Sequence, residues 1–143
     1  MTLADSNIWL ALVLSAHEHH SRVSEWFVDQ GPKEVAFCRM TQISFLRLLT
    51  TRAVLSTYGN PPLTNEQASA LYDGLLRDPR VSFASEPSAL DEYWSSLTNL
   101  PSSSPKLWMD AYLAAFAISG RHQLVTIDAG FTQFRDLNLV LLQ

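Results

Sequence analysis

The chain has 143 residues, of which 47% are hydrophobic and 17% are charged. This length supports one full hydrophobic core, so we expect a single domain over residues 1–143 that needs neither disulfides nor a structural zinc. Fourteen acidic and ten basic residues give a net charge of −4, which excludes the overall basic footprint of a typical duplex-DNA binder. Cys38 is the only cysteine, so no internal disulfide can form and a reducing compartment is expected.

An apolar run near the N-terminus, Ile8 to Ala16, has the composition of a secretion-signal core. Such a core is preceded by positive charge, whereas the only charge before this run is Asp5. The run is also far shorter than the roughly 20 residues that cross a bilayer. We therefore expect a soluble cytoplasmic protein with no membrane segment.

Apolar periodicity and turn residues predict strands and helices in alternation. The predicted strands are Thr2–Ala4, Val35–Cys38, Val81–Ala84, Leu124–Ile127 and Leu139–Leu142. The predicted helices run from Asp5 or Ser6 through Val13, from about His17 to Val28, from Thr41 onward, from Thr64 to about Leu76, from Pro87 through Leu97, and from Lys106 to Ser119, where Gly120 is expected to close the last one. The loop 51–62 is the least determined segment, and the polar, proline-rich loop 99–105 is expected to be flexible.

The predicted strands are continuously apolar rather than alternating. This pattern is typical of strands covered on both faces, as in a parallel sheet between helix layers. The sequence therefore predicts an α/β fold, a three-layer α/β/α sandwich with a central parallel sheet.

Three carboxylates stand out because of their places in this fold. Asp5 and Asp128 each follow a predicted strand, and Asp110 lies in the first turn of the alanine-rich helix. Ligands of open parallel sheets bind beyond the carboxyl ends of the strands, so two of the acids are expected at that edge and the third can face them. Carboxylates brought together repel each other unless a cation lies between them. Oxygen ligands without Cys or His select a hard metal, so Mg²⁺ or Mn²⁺ is expected.

Each acid also has a plain structural interpretation. Asp5 can be a helix N-cap, Asp110 a favourable charge at a helix start, and Asp128 a turn residue before Gly130. Only convergence of all three on one place distinguishes a metal site from three separate caps.

Four segments, LADSNIWLAL, TQISFLRLLT, LWMDAYLAAFA and LVTIDAGF, resemble the successive signatures of PIN-domain ribonucleases, specifically the VapC-type toxins of prokaryotic toxin–antitoxin pairs. The resemblance covers nearly the whole chain in the right order. It implies a parallel sheet between helices and metal-dependent cleavage of RNA. By this resemblance Asp5, Asp110 and Asp128 match the metal-binding acids, and Asn7 matches the small polar residue that supports the first one.

The sequence departs from the family pattern at one position. The family commonly has Glu directly after the Thr that opens the central helix, but here Gln42 follows Thr41. Gln keeps a carbonyl oxygen that can ligate a metal or hold its water, but it removes a negative charge, which leaves a second metal ion in doubt. Thr41, Asn7 and Arg47 are expected to contact the substrate, and Gln42 to take part in catalysis with the three acids.

The resemblance implies a Mg²⁺-dependent endoribonuclease that hydrolyses single-stranded RNA to a 3′-hydroxyl and a 5′-phosphate, with metal-activated water as nucleophile. Phosphate contacts are expected from basic residues around the site, and a tryptophan can stack a base. The candidates are Arg39, Arg47, Arg52, Lys106 and Arg121 for phosphates and Trp9, Trp94 or Trp108 for stacking. The alternative is that these tryptophans are core residues, as is most often the case at helical spacing. The histidines at 17, 19 and 20 lack metal-site spacing and are expected to form a solvated helix start.

The resemblance also implies two partners. One is a VapB-like antitoxin, expected to lay a disordered basic segment into the acidic site. The other is a second copy of the chain, with the helices carrying Trp26 and Tyr72 as possible contacts in a homodimer.

Two other functions remain open from the sequence. Gln42 is compatible with a non-catalytic PIN scaffold that binds RNA or a partner protein without cleavage. The segment LADSN also faintly resembles aspartyl-phosphate enzymes, although Asn7 stands where those enzymes need a second Asp.

Overall fold

A computed structural model describes all residues, 1–143, and contains one sheet of five parallel strands. The strands are β1 (Thr2–Ala4), β2 (Val35–Phe37), β3 (Val81–Phe83), β4 (Gln123–Thr126) and β5 (Leu139–Leu141). Their order across the sheet is β3-β2-β1-β4-β5, with Thr2 in register with Val35 on one side and with Gln123 on the other. The predicted parallel sheet is confirmed.

Seven α-helices and one short 3₁₀-helix surround the sheet. They are α1 (Ser6–Val13), α2 (His20–Val28), α3 (Arg39–Leu49), α4 (Arg52–Ser56), α5 (Asn65–Arg77), α6 (Leu90–Thr98), α7 (Leu107–Gly120) and the 3₁₀-helix Ala129–Gln133. None of the helices combines the length and apolarity needed to cross a membrane.

The core consists of two separate apolar clusters, one on each face of the sheet. Consecutive strand residues alternate between them, so Leu3 joins the cluster with α6 and α7 whereas Ala4 joins the cluster with α1, α2, α3 and α5. Every strand side chain of β1 is therefore buried, because each face of the sheet is covered by helices. This arrangement confirms the three-layer α/β/α sandwich.

Several predicted boundaries are wrong for local reasons. α2 begins at His20 rather than near His17, because the residues before it form turns, and α3 begins at Arg39, two residues before Thr41. Segment 51–62, predicted to be a loop, contains the short helix α4.

The C-terminal end of α7 also differs from the prediction. Arg121, with φ of 55°, takes the left-handed position expected for Gly120. Gly120 instead lies in the last turn, where a Cβ atom would come within 2.6 Å of the His122 ring and 2.9 Å of Pro87. The glycine is needed there for close packing rather than for a positive φ.

The carboxyl ends of all five strands lie at one edge of the sheet, because the strands are parallel. The chain proceeds from β1 to β2 and β3 on one side, whereas β4 and β5 lie on the other, so the strand order reverses between β1 and β4. Open parallel sheets bind ligands at such a reversal. Asp5 directly follows β1, and its N–H donates to Val125 of β4 over 3.0 Å, which places it at this point.

Candidate active site

Asp5 joins the end of β1 to the start of α1 and is 8% exposed. Its Oδ1 accepts a hydrogen bond from the Ser6 N–H at 2.7 Å, and its Oδ2 accepts one from the Thr126 hydroxyl at 2.8 Å. Burial raises the pKa of the Asp5 carboxyl, and the charges of Asp110 and Asp128 raise it further, while the two hydrogen bonds oppose the rise. The two hydrogen bonds thus hold the carboxylate in one orientation, while burial and the neighbouring charges disfavour its ionised form.

Thr126 links three of the candidate residues and was not identified from the sequence. Its fully buried hydroxyl donates to Asp5 and accepts from the Asp128 N–H at 3.0 Å and from the Asn7 side-chain amide at 3.1 Å. The Asn7 Oδ1 in turn accepts from the Ile127 N–H at 3.4 Å. The only signal in the sequence is a hydroxyl residue two positions before Asp128 in an otherwise apolar strand.

Asp110 lies in the first turn of α7 and is half-buried. Burial raises the pKa of its carboxyl, and the charge of Asp128 adds to this effect. No hydrogen bond from the protein offsets the rise. Asp110 therefore keeps its oxygen lone pairs free for a ligand.

Asp128 follows β4 and caps the 3₁₀-helix, with its Oδ1 accepting from the Gly130 N–H at 2.8 Å. Asp5 likewise caps α1, so the structural interpretations of both acids hold. They do not exclude a shared site, because a carboxylate that caps a helix with one lone pair retains others.

The three carboxylates line one cavity of about 390 Å³ beyond the carboxyl ends of β1 and β4. We call it the acidic cavity; its lining consists of Asp5, Ser6, Asn7, Met40, Thr41, Ser44, Lys106, Met109, Asp110, Leu113 and Asp128. Lys106 is the only cationic residue in this lining. The cavity therefore brings together residues from β1, α1, α3, α7 and the end of β4, with an excess of negative charge.

The donor set of the acidic cavity fits a hard cation by its chemistry, because it consists of oxygen atoms with three carboxylates against one ammonium group. However, no three His, Cys, Asp or Glu side chains already lie close enough together to form a complete metal site. A bound cation would thus have to draw the carboxylates together from their present positions.

Two other candidate residues differ in their placement. Thr41 lines the acidic cavity, and its buried hydroxyl also accepts from the Cys38 N–H at 2.9 Å at the start of α3. Gln42 does not line the cavity; its side-chain oxygen accepts a hydrogen bond from Arg39. The catalytic role predicted for Gln42 therefore has no support from its position, whereas Ser44, which the sequence analysis did not select, contributes to the lining.

Arg47 lies outside the acidic cavity but in an adjoining groove. That groove is lined by Ser6, Ser44, Arg47, Leu48, Thr51 and Val54, so it shares Ser6 and Ser44 with the acidic cavity. Of the other predicted phosphate contacts, Lys106 lines the cavity itself. Arg121 precedes β4 and lies at the opposite edge of the sheet, so its predicted role is wrong.

The three tryptophans predicted to stack a base differ in their exposure. Trp9 is fully buried and stacks on Phe37 with ring centroids 3.8 Å apart, so its predicted base-stacking role is wrong. Trp94 is half-buried, and Trp108 is 55% exposed. Tyr72, named with the homodimer helices, is buried in the core, so its own side chain is not a surface contact.

The histidine cluster is packed rather than solvated, which corrects the sequence-based expectation. His17 is 8% exposed and stacks on Tyr58 with ring centroids 5.0 Å apart. A ring nitrogen of His20 lies 2.8 Å from the Ala11 carbonyl oxygen. These contacts fix the connection between α1 and α2, and burial lowers the pKa of His17.

Comparison with known proteins agrees with the fold. The PIN domain family model matches residues 2–137. Ribonuclease VapC41 of Mycobacterium tuberculosis is 50% identical over 144 aligned positions that cover 99% of each chain. Ribonuclease VapC33 of the same species is 29% identical over 140 positions, covering 96% of this chain and 94% of the relative.

Solved structures share the same fold at low sequence identity. VapBC-1 from nontypeable Haemophilus influenzae aligns with a TM-score of 0.66 and 17% identity, covering 98% of this chain and 96% of that one. VapC20 of M. tuberculosis, a toxin that cleaves the sarcin-ricin loop, aligns with a TM-score of 0.64 and 16% identity, covering 96% of this chain and 98% of that one. The chain therefore belongs to the PIN-domain family, among the VapC ribonucleases of toxin–antitoxin systems.

Proposed function

We propose that this chain is a divalent-cation-dependent endoribonuclease that hydrolyses phosphodiester bonds of single-stranded RNA in the acidic cavity. The observation that carries the proposal is the convergence of Asp5, Asp110 and Asp128 from three distant parts of the sequence on one cavity. Burial raises the pKa of the Asp5 and Asp110 carboxyls, and the charges of the neighbouring carboxylates add to the rise. No cation of the protein other than Lys106 lies in the lining. Mg²⁺ or Mn²⁺ is the ligand that this donor chemistry favours.

Asp5, Asp110 and Asp128 would hold the cation, and their carboxylates differ in the hydrogen bonds that they accept from the protein. Asp5 is oriented by Ser6 and Thr126, whereas Asp110 offers a carboxylate that accepts no hydrogen bond from the protein. When bound, the cation supplies Lewis acidity toward a phosphoryl oxygen and toward water. Lys106 places a positive charge at the same cavity, where it can offset the charge of the incoming phosphodiester.

The groove beside the acidic cavity supports a path for the RNA backbone. It continues from the cavity through Ser6 and Ser44 to Arg47, whose guanidinium is exposed. A guanidinium binds phosphate oxygens through two parallel hydrogen bonds, so Arg47 is suited to hold a phosphate next to the one being cleaved. Asn7 and Thr41 line the cavity and complete the polar surface along this path.

A VapB-like antitoxin is the partner that fits this chemistry. Several solved structures with this fold are toxin–antitoxin complexes, among them VapBC-1 of H. influenzae and VapBC2 of Rickettsia felis, the latter bound to a DNA fragment from their promoter. A basic antitoxin segment that enters the acidic cavity would satisfy the same carboxylates as the cation and thereby block cleavage. A homodimer, in which two such cavities are present, is proposed from the resemblance to the family alone.

The proposal is tested by following cleavage of a single-stranded RNA by purified protein with Mg²⁺, with Mn²⁺ and with a chelator. We expect cleavage only with a divalent cation, and 5′-phosphate and 3′-hydroxyl ends on the products. Asp5→Asn and Asp110→Asn each remove one charge from the cavity while keeping the side-chain shape, so each is expected to abolish cleavage.

Asp73→Asn is the matched control, because Asp73 is exposed on α5 and does not line the cavity. This variant should cleave at the wild-type rate. Cleavage that persists in Asp5→Asn would indicate a contaminating nuclease. Binding of RNA without cleavage under any divalent cation would refute the enzymatic function and favour the non-catalytic scaffold.

A further inference from the structure

An exposed tryptophan lies beside the acidic cavity and is not used by the chemistry described above. Trp108 occupies the first turn of α7 and is 55% exposed. Large aromatic side chains dominate the packing energy of a protein when buried, so one that remains exposed has a surface free for a ligand. Of the three tryptophans considered for base stacking, Trp108 is therefore the one with the most exposed ring.

The ring is supported by the packing beneath it. Trp94 packs against Trp108 edge-on, with ring centroids 6.3 Å apart at 83°, and its indole N–H donates to the Trp108 carbonyl oxygen at 3.0 Å. Trp94 in turn makes an edge-on contact with Tyr112, whose hydroxyl donates to Glu86 at 2.7 Å. Because these contacts fix the first turn of α7 and its neighbours, the exposed indole is presented by a rigid support.

Trp108 forms the only hydrophobic wall of a surface cleft of about 560 Å³. The other lining residues are Glu92, Ser95, Ser96, Thr98 and Asn99. We call it the tryptophan cleft. One flat aromatic surface with hydroxyl, amide and carboxylate groups around it matches a nucleobase, which offers a flat face for stacking and polar edges for hydrogen bonds.

The tryptophan cleft and the acidic cavity lie on two sides of the same helical turn. Lys106 and Met109 flank Trp108 in the sequence, and both line the acidic cavity together with Asp110. Trp108 and Asp110 are two residues apart, which is about 3 Å along a helix axis and about 200° around it. The two openings therefore lie on opposite faces of the first turn of α7, and an RNA strand that passes around the N-terminal end of this helix can occupy both.

We propose that Trp108 is a substrate-binding residue that stacks an unpaired base of the same RNA strand whose phosphodiester is cleaved in the acidic cavity. This inference rests on the proposed ribonuclease function and adds a base-binding subsite to it. Glu92 gives the cleft a negative charge without a compensating cation, so a neutral base is favoured there over a phosphate. An apolar anchor of a protein partner is disfavoured, because it would desolvate five polar side chains without pairing them.

The test measures RNA affinity separately from cleavage. The parent protein is the Asp5→Asn variant, which we expect to bind RNA without cutting it, and the probe is a fluorescently labelled single-stranded RNA of about ten nucleotides in Mn²⁺. Adding Trp108→Ala should weaken binding by about 5- to 150-fold, the effect of losing one base–aromatic stack. Trp108→Phe should retain most of the affinity, because it keeps an aromatic face.

A series of probes, each with one abasic position, identifies the stacked base. The parent should lose affinity when that base is missing, whereas Trp108→Ala should be insensitive at the same position. Tyr93→Ala is the matched control, since Tyr93 is exposed on α6 but does not line the tryptophan cleft. Thermal melting checks folding, and the hydrogen bond from Trp94 remains available in every variant because its acceptor is a backbone carbonyl.

The outcomes separate this inference from the nuclease proposal. If wild-type protein cleaves RNA but Trp108→Ala changes neither affinity nor KM, the subsite is refuted and the nuclease stands. If wild-type protein never cleaves but RNA affinity depends on Trp108, the subsite stands and the nuclease is refuted. No measurable RNA binding by the parent overturns the inference. An effect of Trp108→Ala confined to binding of a purified antitoxin also overturns it and assigns the cleft to a protein partner.

Discussion

At the residue scale, the organisation of the acidic cavity depends on a side chain that carries no charge. The Thr126 hydroxyl donates to Asp5 and accepts from Asn7 and from the Asp128 backbone. We expect Thr126→Val to lower cleavage by about 10- to 100-fold, because supporting hydrogen bonds of this kind orient the residues that bind a metal. The same change should destabilise the fold by about 1–3 kcal/mol, since buried polar partners are left unpaired.

The pH dependence distinguishes positioning from a general loss of stability. The hydrogen bond from Thr126 lowers the pKa of Asp5, so its removal should raise that pKa and move the acidic limb of the cleavage profile to higher pH. Thr126→Ser retains the hydroxyl and should restore both the profile and most of the rate. An unchanged profile in Thr126→Val would show that Thr126 contributes only to packing.

Individual site residues were predictable from the sequence to different degrees. Asp5 and Asp128 were found because each follows an apolar strand, which is a local signal. Thr126 was missed because a threonine within a strand is ordinary and its role depends on Asp5 and Asn7, more than a hundred positions earlier. Gln42 was selected by resemblance, but its orientation depends on a hydrogen bond with Arg39 that no pattern reveals.

At the element scale, α7 ends under a tight packing constraint at Gly120. A Cβ atom there would come within 2.6 Å of His122 and 2.9 Å of Pro87. The proline ring is rigid and cannot move away without a shift of the backbone. Alanine improves helix propensity by about 1 kcal/mol over glycine, whereas overpacking costs about 1–3 kcal/mol. We therefore expect Gly120→Ala to lower the free energy of unfolding, as measured by urea denaturation.

Gly74 provides the matched comparison, because it lies inside α5 and a Cβ atom there meets nothing within 4 Å. Gly74→Ala should therefore raise the free energy of unfolding by about 1 kcal/mol. Equal effects of the two substitutions would contradict the packing argument. The pair also explains the error in the sequence-based prediction: a glycine near a helix end suggests a left-handed cap, but Arg121 takes that conformation here.

At the scale of the whole molecule, the sandwich was predictable because the strands are short and largely apolar and because α-helices separate the first four strands from one another along the chain. The order β3-β2-β1-β4-β5 was not, since strand order depends on which apolar faces pair over long separations. The convergence of the three acids follows from that order, because it places β4 beside β1. The edge of the sheet that holds Asp5 and Asp128 was predictable from the sequence, whereas the position of Asp110 at this edge depends on how α7 packs on the sheet.

The burial of Asp110, together with the nearby charge of Asp128, makes the metal-free protein less stable than its core allows. A carboxyl group whose pKa is raised by folding favours the native state at low pH, and that contribution is lost as the pH rises from the ordinary value of 3.8 through the raised one. At neutral pH in a chelator, Asp110→Asn should therefore be more stable than wild type by about 1 kcal/mol. The difference should shrink toward pH 4, where the wild-type carboxyl becomes protonated.

A divalent cation should reverse this order. A ligand that binds only the native state stabilises it by about 2.7 kcal/mol at a hundredfold excess over its Kd, so millimolar Mg²⁺ or Mn²⁺ should raise the melting temperature of the wild type. Asp110→Asn should show little of this rise, while the exposed Asp73→Asn should show all of it. A melting temperature that is the same in chelator and in Mn²⁺ for the wild type would contradict cation binding in the acidic cavity, because three neighbouring carboxylates relieved by a cation must release that energy as native-state stability.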